Sequence, residues 1–360
     1  MAAPNRIASV CDAVRYGSRV YARGATSKLR PPSGDVVCVS LPSGVIDYQP
    51  TEFVISVWAG TPVRQVQALL AEHGQYLPFD PLLSESGATV GGTVALNASG
   101  PERYRYGGVR DFLIGVHFID GMGNYILGGG SVVKNAAGFD FPKLMVGSRG
   151  RFGVITDVTF KVFPKPEAYM SLRMTYRSLT EALALLPKLT ACAYDLNAVD
   201  LVAKVGEPYV LLIRVGGLAS GLAQRMERVR ALIGGGEILQ GEGEESIWRS
   251  FREMTWLRPG EHVVKVPLTP ARISALDQAL AMYTRWYSVG GTVAWVATRD
   301  IQRVDALLRS QGLPGLVLFT ERARARIGAI QNNPFEVRVR SALDPQSKFD
   351  LETVQAAFQT

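Results

Sequence analysis

The strongest constraint on the fold is where the chain places its glycines. Residues 84–100 read SESGATVGGTVALNASG, with Gly87, Gly91, Gly92 and Gly100 free of a Cβ and no charge from Ser86 through Pro101. Such a stretch lets backbone come close to a large anionic ligand, with the hydroxyls of Ser86, Thr89, Thr93 and Ser99 beside the amides. Val90, Val94 and Leu96 recur at helical spacing and need burial, which a flexible Gly/Ser linker would not require. A Rossmann unit would place its glycines directly after the first strand. Here they follow a meander of expected strands at residues 36–40, 44–48 and 52–58 and a helix opened by Thr61-Pro62.

An earlier loop has the same character. A helix over residues 5–16 and a strand over 19–22 lead into Arg23-Gly24-Ala25-Thr26-Ser27-Lys28, a glycine, two hydroxyls and two cations at a strand end. The spacing is not that of a Walker loop, and taken alone a surface turn explains the glycine equally well. Past residue 100, RYGGVRDF leads into a strand FLIGVHFID, a GMGN turn and a return through YIL. His117 falls within that strand among alternating apolar residues and reads as a packed side chain. A short helix near 140–146 precedes Gly147, Gly150 and Gly153 and an alternating strand that ends at Pro164 and Pro166. A domain boundary is expected there, with residues 1–167 before it and 168–360 after it.

From residue 168 the pattern changes to a split βαβ order. Strands are expected at 168–175, 197–204, 208–215 and near 236, with helices at 178–188 and 217–233. A similar alternation recurs in HVVKVPL, a helix at 270–284, GTVAWVA, a helix at 301–310 and LVLF. The expectation is an α+β second domain, an antiparallel sheet backed by helices. The GEGEE run at 241–245 reads as a solvated loop and helix start, and ALDPQSKFDLETVQ as a turn and final helix whose tail returns to the first domain.

Composition narrows the chemistry. Three cysteines, Cys11, Cys38 and Cys192, lie far apart, and three histidines, His73, His117 and His262, show no metal-ligand spacing, so redox chemistry would need an organic cofactor. The net charge of +7 favours anionic ligands, but the arginines are not interleaved with aromatics as in nucleic-acid-binding modules. No apolar run is long enough to span a bilayer and the N-terminus lacks a secretory pattern. A cytoplasmic protein is expected, with any membrane association made through partners.

Together, and in this order, RGATS, SGATVGGTVALNASG, YGGVRDF, VVKNAAGFDFPKLMVGS and GRFGVITDV resemble the vanillyl-alcohol oxidase and p-cresol methylhydroxylase (PCMH) type of FAD-binding domain, most closely as found in FAD-binding subunits of bacterial glycolate oxidases. The resemblance covers about the first 165 residues. It implies that Arg23, Gly24, Ala25, Thr26 and Ser27 surround the FAD diphosphate together with Gly87, Ala88, Thr89, Gly91, Gly92, Asn97, Ser99 and Gly100. It also implies that Gly150, Gly153, Val154 and Ile155 contribute backbone near the flavin and adenine, with Val109 and Ile155 flanking the adenine or the ring. Many relatives carry a histidine in the first loop that bonds covalently to FAD; Ala25-Thr26-Ser27 stand there, so the flavin is expected to be noncovalent. Phe139 stands where a tyrosine is common.

The function so implied is oxidation of a small 2-hydroxy acid, with hydride passing to the flavin. The chain would work beside a paralogous flavin subunit and an iron–sulfur subunit. Arg252 is the candidate for the substrate carboxylate, and no catalytic base is evident. Two other readings remain: a flavin-bearing structural or electron-relay subunit without its own substrate site, and a UDP-sugar enolpyruvate reductase-like enzyme.

Overall fold

The computed structural model describes residues 5–31, 34–130, 139–321, 325–330 and 333–350. The chain opens with helix α1 (Ala8–Tyr16), which buries Val10, Cys11 and Val14, and strand β1 (Val20–Arg23). A two-residue strand β2 (Leu29–Arg30) follows, and β3 (Val37–Ser40) pairs parallel to β1. Then come β4 (Val45–Gln49), β5 (Val54–Trp58), α2 (Val63–Glu72) and β6 (Gln75–Tyr76). Helix α2 turns Val63, Val66 and Leu70 inward, the stripe expected of a one-sided helix.

The glycine-rich stretch becomes α3 (Val90–Leu96). Thr89 caps it by accepting from the Gly92 amide, and Asn97 ends it in the left-handed region with φ 48°. Short helices α4 (Arg103–Tyr106) and α5 (Val109–Phe112) lead to β7 (Leu113–Ile119) and β8 (Tyr125–Gly129). The turn between these strands is held by Asp120, whose carboxylate accepts from the Met122 and Asn124 amides. After α6 (Phe141–Met145), strand β9 (Val154–Lys161) enters the centre of an antiparallel five-stranded sheet ordered β4-β5-β9-β7-β8, and β10 (Phe163–Pro164) pairs with β6.

The chain then builds a second sheet. Its elements are β11 (Ala168–Tyr176), α7 (Leu179–Leu183), α8 (Leu186–Ala191), β12 (Ala198–Ala203), β13 (Tyr209–Gly217), α9 (Ala219–Ile233), β14 (Glu237–Gln240) and α10 (Glu242–Arg252). There follow β15 (His262–Pro267), α11 (Ile273–Ala279), β16 (Arg285–Ser288), β17 (Val293–Thr298), α12 (Ile301–Ser310), β18 (Pro314–Leu318), β19 (Thr320–Glu321), β20 (Arg326–Gly328) and α13 (Pro334–Leu343). Nine strands form one antiparallel sheet, ordered β14-β11-β13-β12-β16-β17-β15-β18-β20. The fold is α+β, as the sequence implied, with a five-stranded antiparallel sheet in its first part and a nine-stranded one in its second.

Several local expectations change. The helix over 178–188 is two helices, because Pro187 has no amide to continue the first and instead opens α8. The helix over 270–284 stops at Ala279, and residues 285–288 form a fully buried strand whose side chains fill both faces of the sheet. The GEGEE run does start a helix, but it is not solvated throughout. Glu244 is 2% exposed and ion-paired to Arg214. Helix α13 was not foreseen, and the final helix past residue 350 lies outside the described residues, as does all of VVKNAAG.

One apolar cluster runs through both sheets. It joins Val57, Phe79, Val94, Val116 and Phe160 to Trp248, Phe251, Trp286 and Trp295, and a second cluster lies on the far side of the large sheet. The last described residues return to the start of the chain. Phe349 packs with Val10, Cys11 and Val14, and the Lys348 ammonium donates to the carbonyls of Val14 and Arg15 at 2.7 and 2.8 Å.

Candidate cofactor cleft

Three segments distant in sequence meet around a cleft of about 810 Å³, measured out to its open mouth. One wall is the loop from β1 to β2, with Arg23, Gly24, Ala25, Thr26, Ser27 and Lys28. A second is α3 with its cap: Thr89, Gly91, Gly92, Ala95 and Leu96. The third is the turn into β9, with Arg149, Gly150, Gly153 and Ile155. Among the described residues no aspartate or glutamate lines it, and three lining residues are cationic. A cavity of that chemistry suits a large ligand with an anionic centre and apolar ends.

The loop is built for an anion. Thr26 sits in the left-handed region with φ 55°, and the amides of Gly24, Ala25, Thr26 and Ser27 donate to no carbonyl among the described residues. Successive amides turned this way form a concave donor surface for phosphate oxygens. Gly24 is required for steric reasons, since a Cβ there would lie 2.6 Å from the Thr89 hydroxyl oxygen. The first turn of α3 works differently. Its Val90 amide donates to Thr61, its Gly91 amide to Ala59 and its Gly92 amide to the Thr89 hydroxyl, so these donors are spent inside the protein. Gly91 serves packing as well, because a Cβ would meet that of Ala59 at 2.7 Å.

Of the residues implied by sequence, the structure gathers Arg23 to Ser27, Thr89, Gly91, Gly92, Gly150, Gly153 and Ile155 around the cleft. Others fall outside its lining. The Ser99 hydroxyl accepts from the Val109 amide at 3.1 Å, so these two satisfy one another, and Val109 is fully buried. Gly100 lies against Asp80, where a Cβ would come within 2.5 Å of the carboxylate. Ala88 is in the core and Val154 packs against α1. Asn97 closes α3, its carbonyl accepting from the Lys265 ammonium at 2.9 Å, while Gly87 turns with φ 83° beside Ala25. The lining also includes Lys28, which the sequence placed in the anion-binding loop, and Gly60 and Arg149, which it did not point to. Lys28 was legible as the last residue of the loop, whereas Gly60 and Arg149 join the cleft only through the packing of β5 and β9.

Arg252 does not stand free for a substrate. It is ion-paired to Glu245 and lies 3.5 Å from the Asp80 carboxylate, mostly buried between them. It belongs to a polar network that ties the two sheets together. Arg214, 3% exposed, donates to Glu102 at 3.1 Å, to Glu244 at 2.8 and 3.1 Å and to Glu245 at 3.1 Å. Burial raises the Glu102 carboxyl to about 7 against the pull of Arg214, and burial likewise raises Asp80. Nearby, Glu253 accepts from the amides of Glu85 and Ser86 and from both serine hydroxyls of that loop, fixing α10 to the segment that leads into α3. His117 is not packed among apolar side chains as expected: it is partly exposed and bonded to Asp157 at 2.7 Å and to Tyr125 at 3.1 Å.

Comparison with known proteins agrees with this chemistry. The family model of the FAD binding domain matches residues 2–127. Glycolate oxidase subunit GlcE of Escherichia coli is 32% identical over 311 residues, covering 84% of this chain and 83% of that protein. Glycolate oxidase subunit GlcD of Bacillus subtilis is 26% identical over 69% of this chain and 56% of its own length. A D-lactate dehydrogenase of Anaerostipes hadrus is 31% identical over 43% of this chain and 32% of its own length. The solved structure of an alkyldihydroxyacetonephosphate synthase superposes with a TM-score of 0.71 over 96% of this chain and 74% of that chain, at 14% identity, a likeness of fold. The cation-lined, carboxylate-free cleft and the extent of the likeness to GlcE lead to one conclusion: the chain belongs to the FAD-binding oxidoreductase family that includes the glycolate oxidase subunits.

Proposed function

We propose that this chain is the FAD-holding subunit of a complex that oxidises a small 2-hydroxy acid such as glycolate. The observation that carries the reading is the cleft itself, with a loop of four undirected amides, cationic side chains and no carboxylate. Residues 1–167 would hold the cofactor, and 168–360 would brace it from the second sheet, with the tail returning to α1. The amides of Gly24 to Ser27 and the Arg23 guanidinium would take the diphosphate oxygens. Thr89 and Gly92 would flank it, and the backbone at Gly150, Gly153 and Ile155 would meet the remaining length. Bound there without a covalent link, FAD supplies a hydride acceptor and a store for two electrons.

The chain's own contribution is to bind, orient and exclude water from that group. Neither a histidine nor a carboxylate lines the cleft among the described residues, and Arg252 is held by Asp80 and Glu245. These features favour a division of labour in which a paralogous, GlcD-like flavin subunit contributes to substrate oxidation and an iron–sulfur subunit takes the electrons onward. The test is anaerobic titration of the flavin spectrum with glycolate, D-lactate, L-lactate and NADPH, for the chain alone and with co-expressed GlcD-like and iron–sulfur partners. The expected result is one FAD per chain and bleaching by a hydroxy acid once the partners are present. A colourless protein that takes up no FAD would overturn the assignment. Bleaching by NADPH alone would favour an enolpyruvate reductase instead.

A further inference from the structure

Lys28 has no role in the family comparison and its side chain has no partner among the described residues. It ends the free-amide loop, it lines the cleft, and it is 4% exposed. Its backbone is anchored, because its carbonyl accepts from the Phe319 amide at 2.7 Å where β2 pairs with β19. Its side chain, by contrast, makes no hydrogen bond or ion pair among the described residues. A buried ammonium without a counter-charge is costly, and proteins keep one where a ligand supplies the charge. We propose that Lys28 is the interior counter-ion of the FAD diphosphate, and that it takes up a proton from solvent when the cofactor binds.

The inference rests on the FAD assignment above and adds a residue and a linkage to it. The diphosphate is the natural partner because the four undirected amides of the same loop precede Lys28, and because the oxidised flavin ring is uncharged near neutrality. The charged and titratable groups around Lys28 are few. Tyr21 and Arg23 come from β1 and its loop, and Arg149 comes from the turn before β9. Glu253 acts from the end of α10. Helix α3 contributes no titratable lining residue. Burial lowers the ammonium to about 7, with Glu253 opposing. A bound dianion would raise it again. Above about pH 7, then, each FAD bound draws in up to one proton, and affinity falls as pH rises by up to about tenfold per unit until the Lys28 value in the complex is reached.

The experiment measures FAD binding to apoprotein by flavin fluorescence from pH 6 to 9. Calorimetry at pH 8 in two buffers of different ionisation heat counts the protons. The wild type should show proton uptake and the pH slope. Lys28→Met should bind FAD at least about tenfold more weakly at pH 7, with neither slope nor uptake, and Lys28→Arg should restore affinity without the slope, since arginine stays charged throughout. ADP, which carries the diphosphate but no flavin, should compete with FAD and lose affinity in Lys28→Met in parallel. Apoprotein melting curves check that the variants fold; if Lys28→Met does not, the Lys28→Arg pH profile decides. FAD binding by Lys28→Met within twofold of wild type, or persistent proton uptake in Lys28→Arg, overturns the proposal. So does a changed flavin reduction potential with unchanged ADP affinity, which would assign the ammonium to the ring. Wild-type protein that binds no FAD at all would instead overturn the functional reading beneath it.

Discussion

Replacing Arg214 with methionine tests how the two sheets are held together. The guanidinium is 3% exposed and directs four hydrogen bonds at Glu102, Glu244 and Glu245, carboxylates contributed by α10 and by the segment that leads into α4. Methionine fills much of the volume but leaves the facing carboxylates without their cation. Breaking a buried ion pair from one side costs about 3–5 kcal/mol. For a domain the size of the second, that corresponds to a fall in Tm of about 6–20 °C. The effect has a definite pH sign. Glu102 already sits near 7 because of burial, above its ordinary value, and loss of Arg214 pushes it further up. A carboxyl whose folded value is raised holds its proton in the folded state, so stability is lost as pH rises through that value and regained as pH falls. The penalty should therefore be largest at pH 8 and less than half as large at pH 5. Thermal melts of apoprotein at both pH values measure it, and adding Glu102→Gln with Glu244→Gln should recover most of the loss. A fall in Tm below about 2 °C at pH 8, or equal losses at the two pH values, would refute the reasoning.

Two further outcomes follow from single sites. Gly24→Val places a Cβ 2.6 Å from the Thr89 hydroxyl, so it should expel the bound flavin while costing the apoprotein only about 1 kcal/mol through the disturbed cap; retention of a one-to-one flavin-to-protein absorbance ratio would contradict it. Asp200, buried with no cation paired to it among the described residues, accepts from Trp286, Ser288 and the Val289 amide, yet burial raises it to about 7. Its folded value exceeds its unfolded one, so its contribution weakens stability as pH rises from about 4 to 7, by roughly 4 kcal/mol. Urea melts of Asp200→Asn should show a flatter pH profile than wild type, and parallel profiles would refute this.

Local chemistry was enough to read the cofactor half of the chain. Thr89 before an apolar repeat and Gly24 after a strand each act through their own backbone preferences, and those preferences survive into the fold, whereas Pro164, expected to end the alternating strand, falls in the short β10 after β9 has stopped at Lys161. The same holds for α12, which spans the residues its periodicity predicts. Other features depend on what packs against them. Residues 285–288 carry no strand alternation, because both faces of β16 are covered. The acidic run at 241–245 looks like a solvated surface until β13 brings Arg214 onto Glu244 from 30 residues away. Arg252 reads as a free cation in sequence and as a paired one in space, since Asp80 reaches it from the loop between β6 and α3 and Glu245 from its own helix.

The cleft divides along the same line. Residues 84–100 by themselves determined a small-residue bed with a capped helix, and the order of motifs around them determined a PCMH-type domain in place of a Rossmann one. Tertiary structure alone decided which donors remain free. The amides at the start of α3 are consumed by Ala59 and Thr61, whereas those of Gly24 to Ser27 meet no acceptor among the described residues, with a buried Lys28 beside them. The physical reason is that a sequence fixes how many donors and charges a segment has, but whether each is satisfied depends on the surfaces folded against it.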